Sequence, residues 1–333
     1  MFIIESYPLA VVCCLLAMLS WGSWANTQKL VGSWRFELFY WDYGFGVLLL
    51  SLVVGLTLGS QGDEGRSFLA DLSQAGFESI GLALLGGVVF NVGNVMLVAA
   101  ISLIGLSLAI TILVGIALAL GVIVNYMASP VGNPVYIFGG VLFVLLAILT
   151  GAYVSRRMNR AQPSAGQRTG LILSVVGGVL MGFFFRFVAA AMAPDFTTPA
   201  MGLLTPYSAV FVFSVGLVAS NLVVNSFLMR HPFSGPAVSF SDYRNGSSYV
   251  HLIGLLGGAI WCCGLLFSVL ASEKAGTAIS YGLGQGATFV AALWGIFVWK
   301  EFKGSGTSVS WLLALMLSFY LVGLGLLVWA RIS

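Results

Sequence analysis

The sequence contains very few charged residues. Asp, Glu, Lys and Arg make up 8% of its 333 residues, whereas soluble domains carry about 25%. So few charges cannot cover a soluble surface, so a soluble enzyme is excluded and no nucleic-acid partner is expected. Hydrophobic residues make up 59% and recur in long runs. A run of about 20 apolar residues is long enough to cross the hydrocarbon core of a bilayer.

Residues that build metal or catalytic centres are also scarce. There are two histidines and four cysteines, and the cysteines form two adjacent pairs, Cys13-Cys14 and Cys262-Cys263, inside apolar runs. Neighbouring side chains on a helix point apart, so neither pair predicts a disulfide or a metal site. The chain has no HExxH motif and no GxxxxGK[ST] phosphate loop. We therefore expect no enzyme, no metal, no bound cofactor and no direct use of ATP.

Apolar runs separated by short polar segments predict ten membrane-spanning helices. The expected spans are 8–27, 40–60, 78–99, 102–125, 134–155, 170–193, 202–229, 249–270, 276–299 and 308–330. The predicted fold is an all-α integral membrane protein, with lipid as its surroundings.

A weak internal repeat appears when the chain is shifted by 171 residues. Matching glycines keep their register over two spans and the turn between them: Gly86-Gly87 with Gly257-Gly258, Gly93 with Gly264, Gly105 with Gly276, and Gly115 with Gly286. We predict a first five-helix repeat (1–155), a short basic linker (156–169) and a second five-helix repeat (170–333). An odd number of spans per half predicts a 5+5 inverted-topology repeat, which is typical of secondary transporters.

The distribution of Lys and Arg predicts the orientation, because cytoplasmic loops are enriched in both. One side of the predicted membrane holds Lys29, Arg35, Arg156, Arg157, Arg160, Arg168, Arg230, Arg244, Lys300 and Lys303; the other holds Arg66, Lys274 and Arg331. We therefore predict a multi-pass protein of the cell (inner) membrane with both termini outside and linker 156–169 in the cytoplasm.

Aromatic and neutral polar residues end the first predicted span, in the sequence SWGSWANTQK at 20–29. Trp21 and Trp24 are three residues apart and share a helix face, with Asn26 nearby. Aromatic faces and amide edges suit a ring-shaped solute, so the three residues are predicted to line a substrate site. The alternative is an interfacial aromatic belt with both tryptophans facing lipid.

Amide and phenol groups within other spans are further candidates for substrate binding. Polar groups inside a membrane tend to face the bundle interior or a wet cavity. The candidates are Asn91 and Asn94 on the third span, Tyr281 and Gln285 on the ninth and, more weakly, Asn221 and Asn225 on the seventh. The alternative is that they form hydrogen bonds that hold helices together.

Three charged residues complete the predicted site. Arg186 lies well inside the sixth span, where a charge needs a carboxylate, a substrate or access to the interface. Glu37 and Asp42, at the entry to the second span, are the nearest acidic candidates and predicted coupling groups, since one of them could take up a proton during transport. The alternative is that both are solvated at the interface. The possible coupling ion is H⁺ or Na⁺.

Several segments also resemble one known family. They are MFIIES at 1–6, CCLLAMLSWGSW at 13–24, WDY at Trp41–Tyr43, much of Asn91–Tyr126, and LTPYSAVFVFSVGL at Leu204–Leu217. These resemble plant ureide permeases and their bacterial relatives, the latter grouped with glucose/ribose porters of the drug/metabolite transporter superfamily. The resemblance implies ten helices around a central site, with ureides or nucleobases as substrates of the plant members and sugars of the bacterial ones. The plant members' long central loop is absent here.

Together these features predict a secondary transporter for a small neutral polar solute. A sugar of the ribose or glucose type is the first expectation, a ureide or nucleobase such as allantoin or uracil the alternative, and multidrug export the third. A passive channel would also have a polar interior, but the predicted repeat favours alternating access.

Overall fold

The computed structural model describes residues 1–158, 166–233 and 235–333 of the chain. Within these ranges the protein is almost entirely helical, with one isolated bridge between Met192 and Leu204. Ten helical segments of the described chain are long and apolar enough to cross a membrane. The predicted all-α integral membrane fold with ten spans is confirmed.

The helices, in chain order, are α1 (Tyr7–Ser23), α2 (Ala25–Leu30), α3 (Phe36–Leu56), α4 (Phe68–Gln74), α5 (Phe77–Ile104), α6 (Leu106–Ala128), α7 (Pro134–Met158), α8 (Gln167–Ala191), α9 (Pro206–Arg230), α10 (Phe240–Arg244), α11 (Ser248–Ala275), α12 (Thr277–Gly284), α13 (Ala287–Leu293) and α14 (Thr307–Trp329). The first span comprises α1 and α2. The ninth comprises α12, α13 and a π-helical turn, Trp294–Val298. Helices α4 and α10 are short and lie between spans.

The ninth span is interrupted at Gln285 and Gly286, where the sequence predicted one continuous helix. Glycine disfavours the helix interior, and Gly284 and Gly286 flank the break. A β-carbon on Gly284 would collide with the ring of Trp21, and one on Gly286 with the side chain of Met18. The glycines therefore let the ninth span approach α1 closely.

Two tight turns join consecutive spans through a single glycine. Gly105 links α5 to α6 with φ of 80°, and Gly276 links α11 to α12 with φ of 89°. A residue with a β-carbon rarely adopts such a backbone conformation, whereas glycine does so readily. The two turns are separated by the predicted shift of 171 residues.

Equivalent helices of the two halves also make similar contacts. Helix α5 packs against α8 and α9, and α11 packs against α1 and α3. Gly87 of α5 lies against the carbonyl of Phe213, and Gly258 of α11 against that of Tyr43, so a β-carbon at either glycine would collide with backbone. These pairs follow the shift to within one residue. The division into 1–155 and 170–333 and the inverted repeat itself stay predictions.

The bundle has two distinct ends. We call the end that contains Lys29, Arg35 and Tyr243 the basic end, and the end that contains Met1 and Arg66 the terminal end. Both chain termini lie at the terminal end: the Met1 amino group donates to the carbonyl of Glu64 and the amide of Asn133 to that of Ala330. Which end faces the cytoplasm stays a prediction.

The predicted linker 156–169 is shorter in the structure. Residues 156–158 form the last turn of α7, and 167–169 form the first turn of α8. The remainder, 159–165, which includes Arg160, lies outside the described residues.

Candidate functional site

A cavity of about 240 Å³ lies at the basic end, where α3, α5 and α9 meet. One ordered water needs only about 10–15 Å³, so the cavity has room for a small organic solute. Its wall combines charged groups, hydroxyls and aromatic rings: Ser33, Trp34, Arg35, Phe36, Glu37, Val95, Val98, Ser102, Leu228 and Phe233. Of these, the sequence predicted only Glu37 as a functional residue. The cluster of polar and aromatic residues in SWRFE at 33–37 was the available signal for the rest.

An ion pair forms the charged part of the cavity wall. Arg35 Nη2 and Nε donate to the two carboxylate oxygens of Glu37 at 2.8 and 3.1 Å, and Arg35 Nη1 donates to the carbonyl of Pro236 at 2.7 Å. Paired contacts of this kind fix both side chains in orientation as well as in charge. Glu37 is therefore largely buried and neutralised by Arg35, not solvated at the interface.

A run of aromatic rings leads from the cavity into the bundle. Phe36 stacks on Tyr40 with centroids 4.9 Å apart, and Tyr40 stacks on Tyr43 at 5.2 Å. Tyr43 in turn contacts Trp24 at 5.0 Å and Trp261 at 6.4 Å. The path inward from the cavity thus offers flat apolar faces.

Polar groups run beside these rings, between α3, α5 and α9. We call this set the amide seam; it contains Tyr40, Asn91, Asn94, Ser220, Asn221 and Asn225. The hydroxyl of Tyr40 donates to Asn91 Oδ1 at 2.9 Å and accepts from Asn94 Nδ2 at 3.1 Å. Asn91 Nδ2 donates to Ser220 Oγ at 2.9 Å. The structure thus brings both predicted residues of α5 together with α3 and α9, in contacts that also join these helices.

Two asparagines of α9 complete the amide seam. Asn221 Nδ2 donates to the carbonyl of Tyr40 at 3.3 Å, and Asn225 Nδ2 donates to that of Glu37 at 2.8 Å. The Oδ1 atoms of both residues are buried without a hydrogen-bond partner. Their spacing of four residues was the signal in the sequence, where they ranked as weaker candidates.

Asp42 lies in a separate polar cluster on α3. Its carboxylate accepts a hydrogen bond from the hydroxyl of Tyr243 and lies 2.8 Å from His251 Nδ1. Burial and the neighbouring carboxylate raise the pKa of Tyr243, so its hydroxyl keeps its proton as a donor. Neither partner was predicted from the sequence, because each is about 200 residues away along the chain.

The two tryptophans of the first span contact aromatic rings of other helices. Trp21 stacks on Trp261 with centroids 6.0 Å apart and donates to its carbonyl at 3.2 Å. It also meets Phe184 edge-on at 6.5 Å. Trp24 contacts Tyr43, as described above. These interior contacts differ from the lipid-facing belt that was the alternative expectation.

The other polar candidates near the first span have separate surroundings. Asn26 accepts from the indole of Trp299 at 2.6 Å and donates to the carbonyl of Ser23. The hydroxyl of Tyr281 is 3.1 and 3.0 Å from the carbonyls of Ala117 and Met181 and links helices at a buried position. Gln285 lies at the break of the ninth span.

Arg186 is half-buried on α8 and makes no ion pair with another described residue. The two acids expected near it have other partners, since Glu37 pairs with Arg35 and Asp42 with His251. The structure therefore does not bring Arg186 together with either predicted coupling group.

Comparison with known proteins gives a consistent picture. A family model described as ureide permease matches residues 39–166 and 159–330. Ureide permease 1 and ureide permease 2 of Arabidopsis thaliana are each 26% identical to this chain, with 98% of either partner covered. A probable glucose uptake protein, GlcU, of Bacillus anthracis is 22% identical over 67% of this chain and 70% of its own.

A solved crystal structure shares the fold. It superimposes with a TM-score of 0.64 at 15% sequence identity and covers 97% of each chain. At this identity the likeness concerns the fold alone.

Proposed function

This chain belongs to the ureide permease family, and on that premise we propose that it transports a small cyclic ureide or nucleobase across the membrane. The family and the ten spans make it a membrane transporter rather than an enzyme. The comparisons favour the ureide alternative over the sugar that was the first expectation, because the plant ureide permeases align over the whole chain and the glucose uptake protein over two thirds.

The chemistry of the cavity supports a flat solute with polar edges. Trp34 and Phe36 present aromatic rings, and Arg35 and Glu37 present donors and acceptors in the same wall. Ligand sites commonly combine apolar faces with a few fixed polar groups that set orientation. An oxo-heterocycle can stack through its faces and form hydrogen bonds through its ring edges.

For coupling we propose a proton, taken up at Asp42. Glu37 is held as a charged partner of Arg35, which stays protonated. The neighbours of Asp42 are a phenol and an imidazole, and the imidazole itself can titrate at physiological pH. Asp42 therefore has partners that tolerate a change in its charge, whereas protonation of Glu37 would leave Arg35 without its counterion.

We further propose that the two five-helix repeats alternate access to the site, with the basic end in the cytoplasm. The excess of Lys and Arg at that end supports this orientation. The cavity at the basic end would then face the cytoplasm in the described conformation.

Uptake into proteoliposomes tests the proposal. Labelled allantoin, uracil, ribose and glucose are supplied separately, with and without imposed proton and sodium gradients, and protein-free vesicles are the control. Accumulation of allantoin or uracil, driven by a proton gradient, is the expected result. Accumulation of ribose or glucose alone would overturn the ureide assignment, and accumulation driven by sodium alone would overturn the coupling ion.

A further inference from the structure

Buried polar atoms without partners are concentrated near the cavity. Five such side-chain atoms occur in the described part of the chain: Trp34 Nε1, Tyr43 OH, Asn125 Oδ1, Asn221 Oδ1 and Asn225 Oδ1. All but Asn125 Oδ1 belong to the cavity wall, to α3 or to the amide seam. A buried polar atom that makes no hydrogen bond is destabilising by about 1–3 kcal/mol, so each one needs an explanation.

The orientation of the two seam amides follows from their neighbours. Asn221 and Asn225 each face a backbone carbonyl of α3, those of Tyr40 and Glu37. A carbonyl can only accept, so the amide nitrogen must face it and the amide oxygen must point elsewhere. Two hydrogen-bond acceptors are thereby left over, and both side chains are at most 1% exposed.

The two acceptors lie on one face of α9. Residues four apart on a helix have Cβ atoms about 5–6 Å apart. Asn225 is one turn from Leu228, which lines the cavity, and contacts the backbone of Glu37, which also lines it. Asn221 is one turn further into the bundle. The amide seam therefore begins at the cavity and continues away from it.

We propose that the Oδ1 atoms of Asn221 and Asn225 form a binding station for the N–H groups of the transported solute, deeper in the bundle than the cavity. This rests on the proposed function and assigns the seam a role in it. A ureide or nucleobase carries two N–H groups beside a carbonyl, so its urea-type edge can donate to both oxygens. The rings of Tyr40 and Tyr43 lie along the same path.

Isosteric variants test the station. Asn221→Leu and Asn225→Leu keep side-chain volume and remove the unpartnered oxygen, so we expect both proteins to fold. Initial uptake of allantoin and uracil should fall about tenfold, the loss expected when a hydrogen bond to the solute is removed. Asn125→Leu is the matched control, because Asn125 is also buried with an unpartnered oxygen but lies on α6. It should transport close to the wild-type rate.

A second measurement separates a binding role from a purely structural one. In 1,3-dimethyluracil both ring N–H groups are replaced by N-methyl groups, so it cannot donate to the seam. Wild-type protein should transport it about tenfold more slowly than uracil. In the Asn221→Leu and Asn225→Leu variants this preference should shrink, whereas a loss of helix packing would slow both solutes equally.

The outcomes distinguish the two proposals. Wild-type uptake of neither allantoin nor uracil would overturn the proposed function and the station with it. If the wild type transports them and both variants match it, only the station is overturned. If a variant does not fold, the wild-type comparison of uracil with 1,3-dimethyluracil decides, and equal rates would reject the station.

Discussion

At the terminal end Asp71 is completely buried and accepts four hydrogen bonds, whereas at the basic end Arg35 and Glu37 line a cavity and the nearby amides have oxygens to spare. Asp71 Oδ1 accepts from Arg66 at 2.8 Å and Gln74 at 3.2 Å, and Oδ2 accepts from the amide and hydroxyl of Thr205 at 2.7 and 2.9 Å. Arg66 also donates to the carbonyl of Pro199 at 2.6 Å.

The difference separates two uses of charge in a membrane protein. At the terminal end the ionic groups tie helix α4 to the segment before α9, and every oxygen of the acid is occupied. At the basic end the charges face a space that a solute can enter. We infer that the described conformation is held shut at the terminal end and accessible at the basic end, as one state of alternating access requires.

The largest effect is expected from breaking the terminal network. Asp71→Ala leaves the Arg66 guanidinium, 16% exposed, without its counterion. Removing one partner of a buried ion pair costs about 3–5 kcal/mol, so we expect a marked fall in the detergent melting temperature. Asp63→Ala, at an exposed acid of the same end, is the control. Equal melting temperatures for the two variants would contradict the proposed closure.

The layer between the two ends should be nearly as sensitive. Gly258→Ala places a methyl group against the backbone carbonyl of Tyr43, where no flexible side chain can move aside. Overpacking of this kind costs about 1–3 kcal/mol. Gly81→Ala is the matched control on α5, because open space surrounds it, and it should be neutral or slightly stabilising. Thermal unfolding of both variants in detergent measures the difference.

Asp42→Asn tests function at the basic end. The amide keeps the size of the side chain but cannot take up a proton, so accumulation driven by a proton gradient should be lost while exchange of solute across the vesicle membrane continues. Glu37→Gln is the comparison, and it should affect solute affinity more than coupling. Proton-driven accumulation that survives in Asp42→Asn and disappears in Glu37→Gln would reverse the assignment.

The smallest effect is expected at the surface of the basic end. Lys29 and Glu301 form an ion pair at 2.9 Å in which both side chains are 48% exposed. Exposed pairs contribute about 0.2–1 kcal/mol and are weakened by salt. Lys29→Ala should therefore shift the melting temperature far less than Asp71→Ala, and raising the ionic strength should reduce even that shift.

Parts of the candidate site could be predicted because the cost of burying polar groups is a local property. Asn91, Asn94 and Glu37 stood out as polar residues in or beside apolar runs, and the structure places them in the seam or the cavity. Trp34, Tyr243 and His251 did not stand out, since each lies in a loop or at a helix end where polar and aromatic residues are common. Arg186 stood out for the same reason as the asparagines, yet it lies apart from Glu37 and Asp42.

The sequence by itself determined the ten spans and their short connections, because a backbone in lipid must satisfy its own hydrogen bonds and about 20 apolar residues are enough to do so as a helix. The tertiary structure alone decided which polar groups meet. Asp42 contacts Tyr243 and His251 across 201 and 209 residues, and Trp21 contacts Trp261 across 240. Apolar runs of this kind are hydrophobic on every face, so their composition does not mark the face that a neighbouring helix will cover. That choice depends on close packing at glycines such as Gly87 and Gly258, which brings distant segments together.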